Sequence, residues 1–181
     1  TAFAVVRAVA TGDDRELVLL RIAECDVNLK HARSALDELA PLVNTASRRA
    51  EALYFHALAL RDANDVSGFF DMAERVAHDF PDEPWAEQAL DAVASYHVRK
   101  GDDDVADTVF RRLYDRYPRG NFAERAAWKI GWLAYRAGNY ADTIRFYERA
   151  ASDFPRSDNR PSWLYWSGRA HEMLGEGASA Q

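Results

Sequence analysis

The sequence lacks the residues that cross-link a chain or perform covalent chemistry. Cys25 is the only cysteine, so no disulfide can form within the chain. A nucleophilic Cys25 would need a nearby histidine, and His31 follows it only after a predicted turn. We therefore predict that Cys25 is a structural, buried residue.

Motifs for cofactors and metals are also missing. The sequence has no glycine-rich phosphate loop and no Gly-x-Ser-x-Gly elbow. No two of its five histidines are three or four residues apart, the spacing that places two ligands on one helical face. The acidic pairs and triplets, such as Asp13-Asp14, precede predicted helix starts, where carboxylates accept free backbone N–H groups. We predict no cofactor, no metal and no catalytic residue in this chain, and leave open whether it is part of an enzyme.

Long apolar runs and excess positive charge are absent too. No run of 18 apolar residues exists, so we predict no membrane span. The net charge is −6, which argues against nucleic acid as the partner. One local basic strip remains, and we interpret it as a solvated helix face paired with Asp107 and Asp115 rather than as a binding strip. Its members are Arg111, Arg112, Arg116 and Arg119.

Proline and glycine are scarce, and their positions repeat. Prolines recur every 37 residues at 81, 118 and 155, each after an aromatic residue, and glycines recur every 37 residues at 101, 138 and 175. Because both residue types end helices, this regularity predicts an array of one small unit. Each unit consists of helix A, a tight turn at the glycine, helix B and an aromatic-proline corner.

Apolar residues three and four apart mark both helices of each unit. Helix A is alanine-rich, with Ala89 and Ala126 in register. Helix B carries Val105, Val109, Phe110 and Leu113 in one unit and Ile144, Phe146, Tyr147 and Ala150 in the next.

The period also runs backwards along the chain. Ala52 and Leu53 match Ala89 and Leu90, and Asn64 replaces the turn glycine, because asparagine also tolerates a left-handed conformation. Helix B of that unit carries Phe69, Ala73 and Val76. In the unit before, we predict a helix A with Leu17, Leu20 and Ala23, and a helix B with Leu29, Ala32, Leu36 and Leu39.

The two ends complete the predicted fold. Residues 2–10 are predicted to be a stray helix B, and residues 162–174 a stray helix A. We therefore predict an all-α solenoid of about four 37-residue helix-turn-helix units with partial end helices. It forms a single domain over residues 1–181, as a fragment of a longer chain.

The stretch from Ala123 to Tyr140 resembles a tetratricopeptide repeat. With Glu124 as the first position, seven residues fall where that pattern expects them: Ile130, Gly131, Gly138, Tyr140, Tyr147, Ala150 and Pro155. Thr143 and Ala134 depart from the pattern, and 37 residues exceed the usual 34. The resemblance implies a right-handed superhelix.

A narrower resemblance lies in the last third of the chain. Arg125-Ala-Ala-Trp-Lys-Ile-Gly-Trp-Leu-Ala-Tyr-Arg136, Phe154-Pro-Arg-Ser-Asp158, Arg160-Pro-Ser-Trp-Leu-Tyr-Trp166 and Arg169-Ala-His-Glu172 resemble the helical superhelix of soluble lytic murein transglycosylases. In that family the superhelix precedes a lysozyme-like domain that cleaves peptidoglycan through the glutamate of a Glu-Ser motif. This sequence has no Glu-Ser pair. The resemblance implies a non-catalytic periplasmic region that positions a glycan strand or its own C-terminal catalytic domain.

A second interpretation stays open. Periplasmic tetratricopeptide lipoproteins of outer-membrane assembly and of the Tol–Pal system share the aromatic-Pro-x-Ser corner. This resemblance implies a scaffold that binds a peptide segment of a partner protein.

Candidate binding residues follow from the repeat register, because helix A lines the concave side of such arrays. Positions 5, 9 and 12 of helix A are Trp128, Trp132 and Tyr135, with Arg136 beside them. The preceding helix A contributes Asp91, Ser95 and Val98 at these positions, and the following one contributes Tyr165, Arg169 and Glu172. Two interpretations of the aromatics remain: a stacking shelf for sugar rings or a peptide, or packing between thin helices. We predict that Trp163 and Trp166 belong to the core or contact a C-terminal segment.

Overall fold

The computed structural model describes residues 10–176, and this part of the chain is helical throughout, without a strand. The helices are α1 (Gly12–Asn28), α2 (Ala32–Leu39), α3 (Arg49–Asp62), α4 (Val66–Asp79), α5 (Pro84–Lys100), α6 (Asp103–Arg116), α7 (Ala123–Arg136), α8 (Tyr140–Asp153) and α9 (Arg160–Met173). They form two compact units, residues 1–90 and residues 91–181, which divide within α5. The predicted all-α repeat fold is confirmed.

In the first unit, α1 packs on α2 and α3 packs on α4, while α3 also contacts α1 and α2. Its core is built from the apolar stripes of these helices. The buried members are Leu19, Leu20, Ala23, Leu39, Leu42, Ala46, Ala52 and Phe55. Tyr54 and Trp85 pack against this core from its edge. Burial of such apolar stripes is the main driving force for folding. A single pair of helices leaves part of its apolar surface uncovered, so neighbouring pairs stack on one another.

In the second unit, α7 packs on both α6 and α8, and α8 packs on α9. Large side chains fill the centre of this unit. Those with essentially no exposed surface are Phe110, Leu113, Tyr114, Ile130, Tyr147 and Trp163. Trp163 is therefore a core residue, as predicted.

The turns lie where the repeating glycines predicted them. Gly101, Gly138 and Gly175 have positive φ angles of 81°, 75° and 78°, and Asn64 has 66°. After each of them the next residue donates its N–H to a carbonyl five residues back, as Asn139 does to Ala134 over 2.9 Å. This hydrogen bond closes the helix C-terminus through a left-handed residue.

The first turn departs from the period. Lys30, with φ 64°, takes the left-handed position 34 residues before Asn64, so the spacing here is not 37. Leu29 lies in this turn as an exposed residue, so its assignment to helix B was wrong. The hydrophobic pattern continued across the turn, and only the backbone placed Leu29 outside α2.

The aromatic-proline corners end the B helices as predicted. Phe80, Tyr117 and Phe154 follow the last residues of α4, α6 and α8, and each donates its N–H to the carbonyl four residues back. Helix α9 confirms the final helix A, with Pro161 in its first turn. The predicted helix over residues 2–10 lies outside the described residues, apart from Ala10, which is not helical.

Three sequence-based expectations concern single side chains. Cys25 is exposed on α1, so its assignment as a buried structural residue was wrong. Arg111 pairs with Asp107 over 2.6 Å, as predicted, and also reaches Asp142 of α8 over 2.9 Å. Asp115 instead pairs with Arg149 of α8 over 3.6 Å.

Residues 10–176 contain no helix with the length and hydrophobicity that a membrane span requires. The same range holds no group of three or more histidine, cysteine, aspartate or glutamate side chains arranged to bind a metal.

Candidate partner-binding surface

Three aromatic side chains form a row along α7. The Trp128 and Trp132 rings are parallel within 4°, with centroids 6.4 Å apart, and the Trp132 and Tyr135 rings are parallel within 7° at 6.2 Å. Spacings of four and three residues place them on one face of the helix. All three are half-buried, so one part of each ring packs and another part meets solvent. We call these three residues the aromatic row.

A ring of helix α9 packs against the aromatic row. Trp166 meets Trp132 edge-on at 5.0 Å and Tyr135 edge-on at 4.9 Å, an arrangement that aromatic quadrupoles favour. Tyr165 contacts Trp166 at 5.3 Å and is itself 61% exposed. The neighbouring A helices therefore present one continuous aromatic surface.

The sequence register missed Trp166 as a member of this surface. By the 37-residue period Trp166 corresponds to Lys129, not to a residue of the aromatic row. The sides of α7 and α9 face each other, so the α9 residue that touches the aromatic row does not occupy the same repeat position as the row. The available signal was the number of aromatic residues in α9, where the sequence analysis assigned Trp166 to the core or to a contact with a C-terminal segment.

Helix α8 holds the aromatic row from behind through a close contact. The Tyr147 ring lies so near the backbone of Gly131 that a Cβ atom there would overlap it. The Tyr147 hydroxyl donates to the carbonyl of Trp128 over 3.1 Å, and its ring lies 5.6 Å from the Trp128 ring. Burial raises the pKa of Tyr147, so its hydroxyl keeps its proton and remains a donor.

Thr143 strengthens the same contact. This residue departs from the small alanine of the repeat pattern, yet it is fully buried. Its hydroxyl lies 3.2 Å from the carbonyl oxygens of both Gly131 and Asn139 and donates its proton between them, which satisfies a buried polar group. Together Thr143 and Tyr147 fix the segment of α7 that carries the two tryptophans.

A charged rim borders the row at the start of α7. Arg125 pairs with Asp91 over 3.2 Å and donates to Ser95 over 2.8 Å, so α7 is tied to the C-terminal half of α5. Asp91 and Ser95 are two of the α5 residues that the repeat register placed on the candidate surface. A hollow of about 320 Å³ adjoins the rim, lined by Arg125, Trp128, Asn159 and Ser162.

Not all predicted site residues lie on the aromatic surface. Arg136 points to α6, where it pairs with Asp103 over 3.1 Å, and it lines a separate hollow with Asp107 and Arg111. Arg169 forms an exposed ion pair with Glu172 on α9 itself. The structure thus brings together Trp128, Trp132, Tyr135 and Tyr165, and places Arg136 elsewhere.

The surface offers non-covalent recognition. Ring faces stack on apolar side chains, on peptide planes or on sugar rings, and the arginine of the rim pairs with carboxylates. Such a surface suits an elongated ligand laid along several side chains.

One known protein family matches part of the chain. Residues 125–157 match the tetratricopeptide repeat, a stretch that covers nearly all of α7, the turn at Gly138, α8 and the corner after it. The matched stretch therefore carries the aromatic row and the Tyr147 contact.

Two curated relatives are outer membrane protein assembly factors named BamD. The protein from Pasteurella multocida is 24% identical over 129 residues, which is 71% of this chain and 46% of that protein. The protein from Xylella fastidiosa is 28% identical over 71 residues, 39% of this chain and 24% of that protein. This chain therefore spans less than half the length of the relatives it matches.

Solved structures of MamA share the fold. One crystal structure has a TM-score of 0.62 at 14% identity, covering 91% of this chain and 85% of that one. MamA from Desulfovibrio magneticus has a TM-score of 0.59 at 16% identity, covering 94% and 91%.

The comparisons separate the two resemblances noted in the sequence. The tetratricopeptide resemblance is supported by the matched repeat and by the similar structures, whereas the resemblance to the lytic transglycosylase superhelix receives no support from them. The chain has a tetratricopeptide-type, all-helical repeat fold.

Proposed function

We propose that this chain is a tetratricopeptide-type scaffold that holds an extended segment of a partner protein on the aromatic surface of α7 and α9. The observation that carries the proposal is the aromatic row, whose parallel rings are only partly buried on α7. Solvent-facing tryptophan and tyrosine side chains are the residue types that most often dominate binding energy at interfaces.

The surface is pre-organised for such a role. The contact of Tyr147 with Gly131 and its hydrogen bond to Trp128 hold the row without a ligand. Binding to a rigid surface avoids the entropic cost of ordering side chains, so more of the contact energy appears as affinity. The ion pair of Arg125 with Asp91 adds a fixed polar border at one end.

The relatives support a proposal for the cellular setting. Two matching proteins are named outer membrane protein assembly factors. We propose that this scaffold also acts in the assembly of outer-membrane proteins and resides in the periplasm. Its ligand is then a protein segment.

The transglycosylase interpretation requires a different ligand on the same surface. It requires the aromatic row to stack on the sugar rings of a glycan strand and the chain to work with a C-terminal catalytic domain. Its support is the resemblance of segments within residues 125–172 to the superhelix of lytic transglycosylases. The two interpretations therefore differ in ligand, and one experiment distinguishes them.

The experiment replaces Trp132 in the full-length protein with a photo-crosslinking phenylalanine analogue and irradiates intact cells. The expected product is a covalent adduct with a protein of the cell envelope. Leu29, an exposed leucine in the first unit, is the matched control site and should give no such adduct. Adducts that contain only muropeptides, or identical adducts at both sites, would overturn the proposal.

A further inference from the structure

The hollow of about 320 Å³ beside the aromatic row lies where α7 and α9 begin. Arg125, Trp128, Asn159 and Ser162 line it. Trp128 is half-buried and the other three residues are exposed, so the hollow opens to solvent. We call this space the α7–α9 hollow.

A hollow at this place is a feature of the repeat, because the first unit has one too. The first-unit hollow has a volume of about 250 Å³ and includes Glu51 and Trp85 in its lining. These two positions precede Arg125 and Asn159 by 74 residues, which is two periods. The first-unit hollow lies in the middle of the chain, with helices before and after it. The opening of the α7–α9 hollow therefore does not depend on where the sequence stops.

The first unit fills this place with an aromatic ring. Trp85 packs its ring against Tyr54, with the two centroids 5.3 Å apart. Two periods later, Trp128 stands at the position of Tyr54, and Asn159 stands at the position of Trp85. Because asparagine has no ring, Trp128 lacks the aromatic cover that Tyr54 has. The second unit thus keeps the aromatic platform and leaves out the ring that would cover it.

Helix α9 supplies a comparable ring one turn further along. Trp166 meets Trp132 edge-on at 5.0 Å and Tyr135 edge-on at 4.9 Å. Ser162 precedes Trp166 by four residues, so both lie on the same face of α9. Because serine is small, the space beside Trp128 stays open where the next turn places a tryptophan. Both comparisons within the molecule indicate that a large aromatic ring fits the hollow.

Hydrogen bonds fix the wall of the hollow opposite Trp128. The Asn159 amide donates to the Glu124 carboxylate over 3.2 Å, and the Ser157 hydroxyl donates to the same carboxylate oxygen over 2.6 Å. The Asn159 backbone N–H in turn donates to the Ser157 hydroxyl over 3.0 Å. Asn159 is therefore held without a ligand, and an occupant does not have to order it.

The charge of the lining restricts the occupant further. Arg125 is the only charged residue among the four that line the hollow, and 47% of its side chain is exposed. Its Nε atom faces Asp91 at 3.2 Å and its Nη2 atom donates to Ser95 over 2.8 Å. A guanidinium group has five N–H donors, so donors remain for a carboxylate of the occupant. At the equivalent place the first unit has Glu51, so the charge at this position is reversed between the two units.

We propose that the α7–α9 hollow anchors an aromatic side chain of the partner segment, and that an aspartate or glutamate next to that residue pairs with Arg125. The ring packs on Trp128 as the ring of Trp85 packs on Tyr54. This inference rests on the proposed scaffold function and specifies the residue types that the scaffold selects.

A short peptide tests the anchor directly. The probe is an eight-residue peptide of glycine and serine with a central Trp-Glu pair, and saturation-transfer NMR with the full-length protein shows which peptide protons contact the protein. We expect saturable binding, with the strongest transfer to the indole protons, and binding at least about tenfold weaker when alanine replaces the tryptophan. Glutamine in place of the glutamate should weaken binding about two- to fivefold, and high salt should remove that difference.

Variants of the protein locate the binding site. Asn159→Trp installs the residue of the first unit and should abolish peptide binding, because its own indole occupies the hollow. Ser162→Trp fills the hollow from α9 and should have the same effect. Ser152→Trp adds the same ring at an exposed polar position of α8 outside the lining and should bind as the parent does. Circular dichroism checks that each variant is folded.

Photo-crosslinking at Trp132 in cells separates this inference from the scaffold function. When Asn159→Trp is added to the crosslinking protein, the adduct with an envelope protein should fall about tenfold. Protein adducts that Asn159→Trp leaves undiminished would contradict the anchor and leave the scaffold function standing. The lack of any protein adduct without Asn159→Trp would contradict the scaffold function itself.

Four results of the peptide experiment would overturn the proposal. The first is the absence of saturable transfer at millimolar peptide, and the second is binding that Asn159→Trp and Ser162→Trp leave unchanged in folded protein. Equal binding of a peptide with leucine in place of tryptophan would show that the hollow does not select a ring. Binding of a soluble muropeptide that is lost in Asn159→Trp, without binding of the peptide, would identify a sugar as the occupant.

Discussion

Helices α3 and α7 occupy the same place in their units, 74 residues apart, and use it differently. Tyr54, Leu58 and Arg61 of α3 correspond by the period to Trp128, Trp132 and Tyr135 of α7. Tyr54 packs against Trp85 at 5.3 Å and Arg61 lies over the Phe69 ring, so these side chains serve the fold of the first unit. In α7 the same positions carry a row of nearly parallel rings, and the residues of both sets are partly buried. One backbone pattern thus carries a mixed apolar and charged set in one unit and a row of stacked aromatics in the other.

The partner positions differ in the same way. Ala57 of α3 and Ala73 of α4, both buried, stand where Gly131 and Tyr147 stand in the second unit. The pair changes from two small residues to one very large residue and one without a side chain. This change brings the Tyr147 hydroxyl to the α7 backbone and fixes the aromatic row.

Gly131→Ala should produce the largest effect among the substitutions that test this comparison. The added methyl overlaps the Tyr147 ring, so we expect a loss of about 2–3 kcal/mol in the free energy of unfolding, measured by urea denaturation. Tyr147→Ala combined with Gly131→Ala should cost less than the sum of the two single changes. A Gly131→Ala protein as stable as the parent would show that the contact is not close.

The ion pairs between neighbouring A helices extend the comparison. Glu51 of α3 is buried and pairs with Arg21 of α1, whereas Arg125 of α7 pairs with Asp91 of α5 in reversed polarity and is half-exposed. We expect Glu51→Ala to cost about 1 kcal/mol in free energy of unfolding, because Arg21 is partly exposed and keeps Glu24 as a partner, and Arg125→Ala to cost about 2 kcal/mol, because it removes this cation from the buried carboxylate of Asp91. Equal losses in urea denaturation would contradict this distinction.

The turns offer a comparison of glycine with asparagine. Gly138→Val places a β-branched residue at a φ of 75°, and we expect a loss of about 1–2 kcal/mol in stability. Asn64→Gly changes the equivalent turn of the first unit to the residue used in the others and should be close to neutral. Thermal melting monitors both variants, and a Gly138→Val protein that melts like the parent would contradict the left-handed turn.

The smallest effect concerns two histidines with opposite pKa shifts. Burial and the nearby Arg75 lower the pKa of His56 in α3, so the stability it contributes is present above pH of about 6.5 and is lost as the pH falls through the folded-state pKa. Hydrogen bonds to Glu148 and Glu176 raise the pKa of His171, so its contribution is present below pH of about 6.5 and is lost as the pH rises through the folded-state pKa.

Melting temperatures at several pH values test both signs. His56→Ala should reduce the fall in melting temperature between neutral pH and pH of about 5.5, and His171→Ala should reduce the fall between pH of about 6.5 and 8. The reverse assignment of the two variants would refute the direction of the shifts.

Much of the fold was predictable from the periodic residues. Asn64, Gly101, Gly138 and Gly175 marked the turns because few residues adopt a positive φ without strain, and aromatic-proline pairs marked the helix ends. The aromatic row was predictable for a similar reason, since helix geometry alone places residues four and three apart on one face. The first turn was not predictable, because Lys30 takes the left-handed position without a sequence signal.

Contacts between helices were the part that the period did not predict. Trp166 joins the aromatic row although its register position differs, and Arg136 turns away from the row to Asp103 although it adjoins Tyr135 in sequence. Both outcomes depend on how the flanks of neighbouring helices meet. Which side chains touch across two neighbouring helices depends on how the helices pack and on the directions of their side chains, not on spacing along the chain.

The sequence by itself determined the repeat, its turns, its helical faces and the row of aromatics, because these depend on local backbone preferences and on the 3.6-residue turn. Only the tertiary structure decided why Gly131 lacks a side chain and why Thr143 replaces a small residue. These properties arise where Tyr147 meets a second helix, and the physical reason is that excluded volume and hydrogen bonds between helices exist only after the helices have packed.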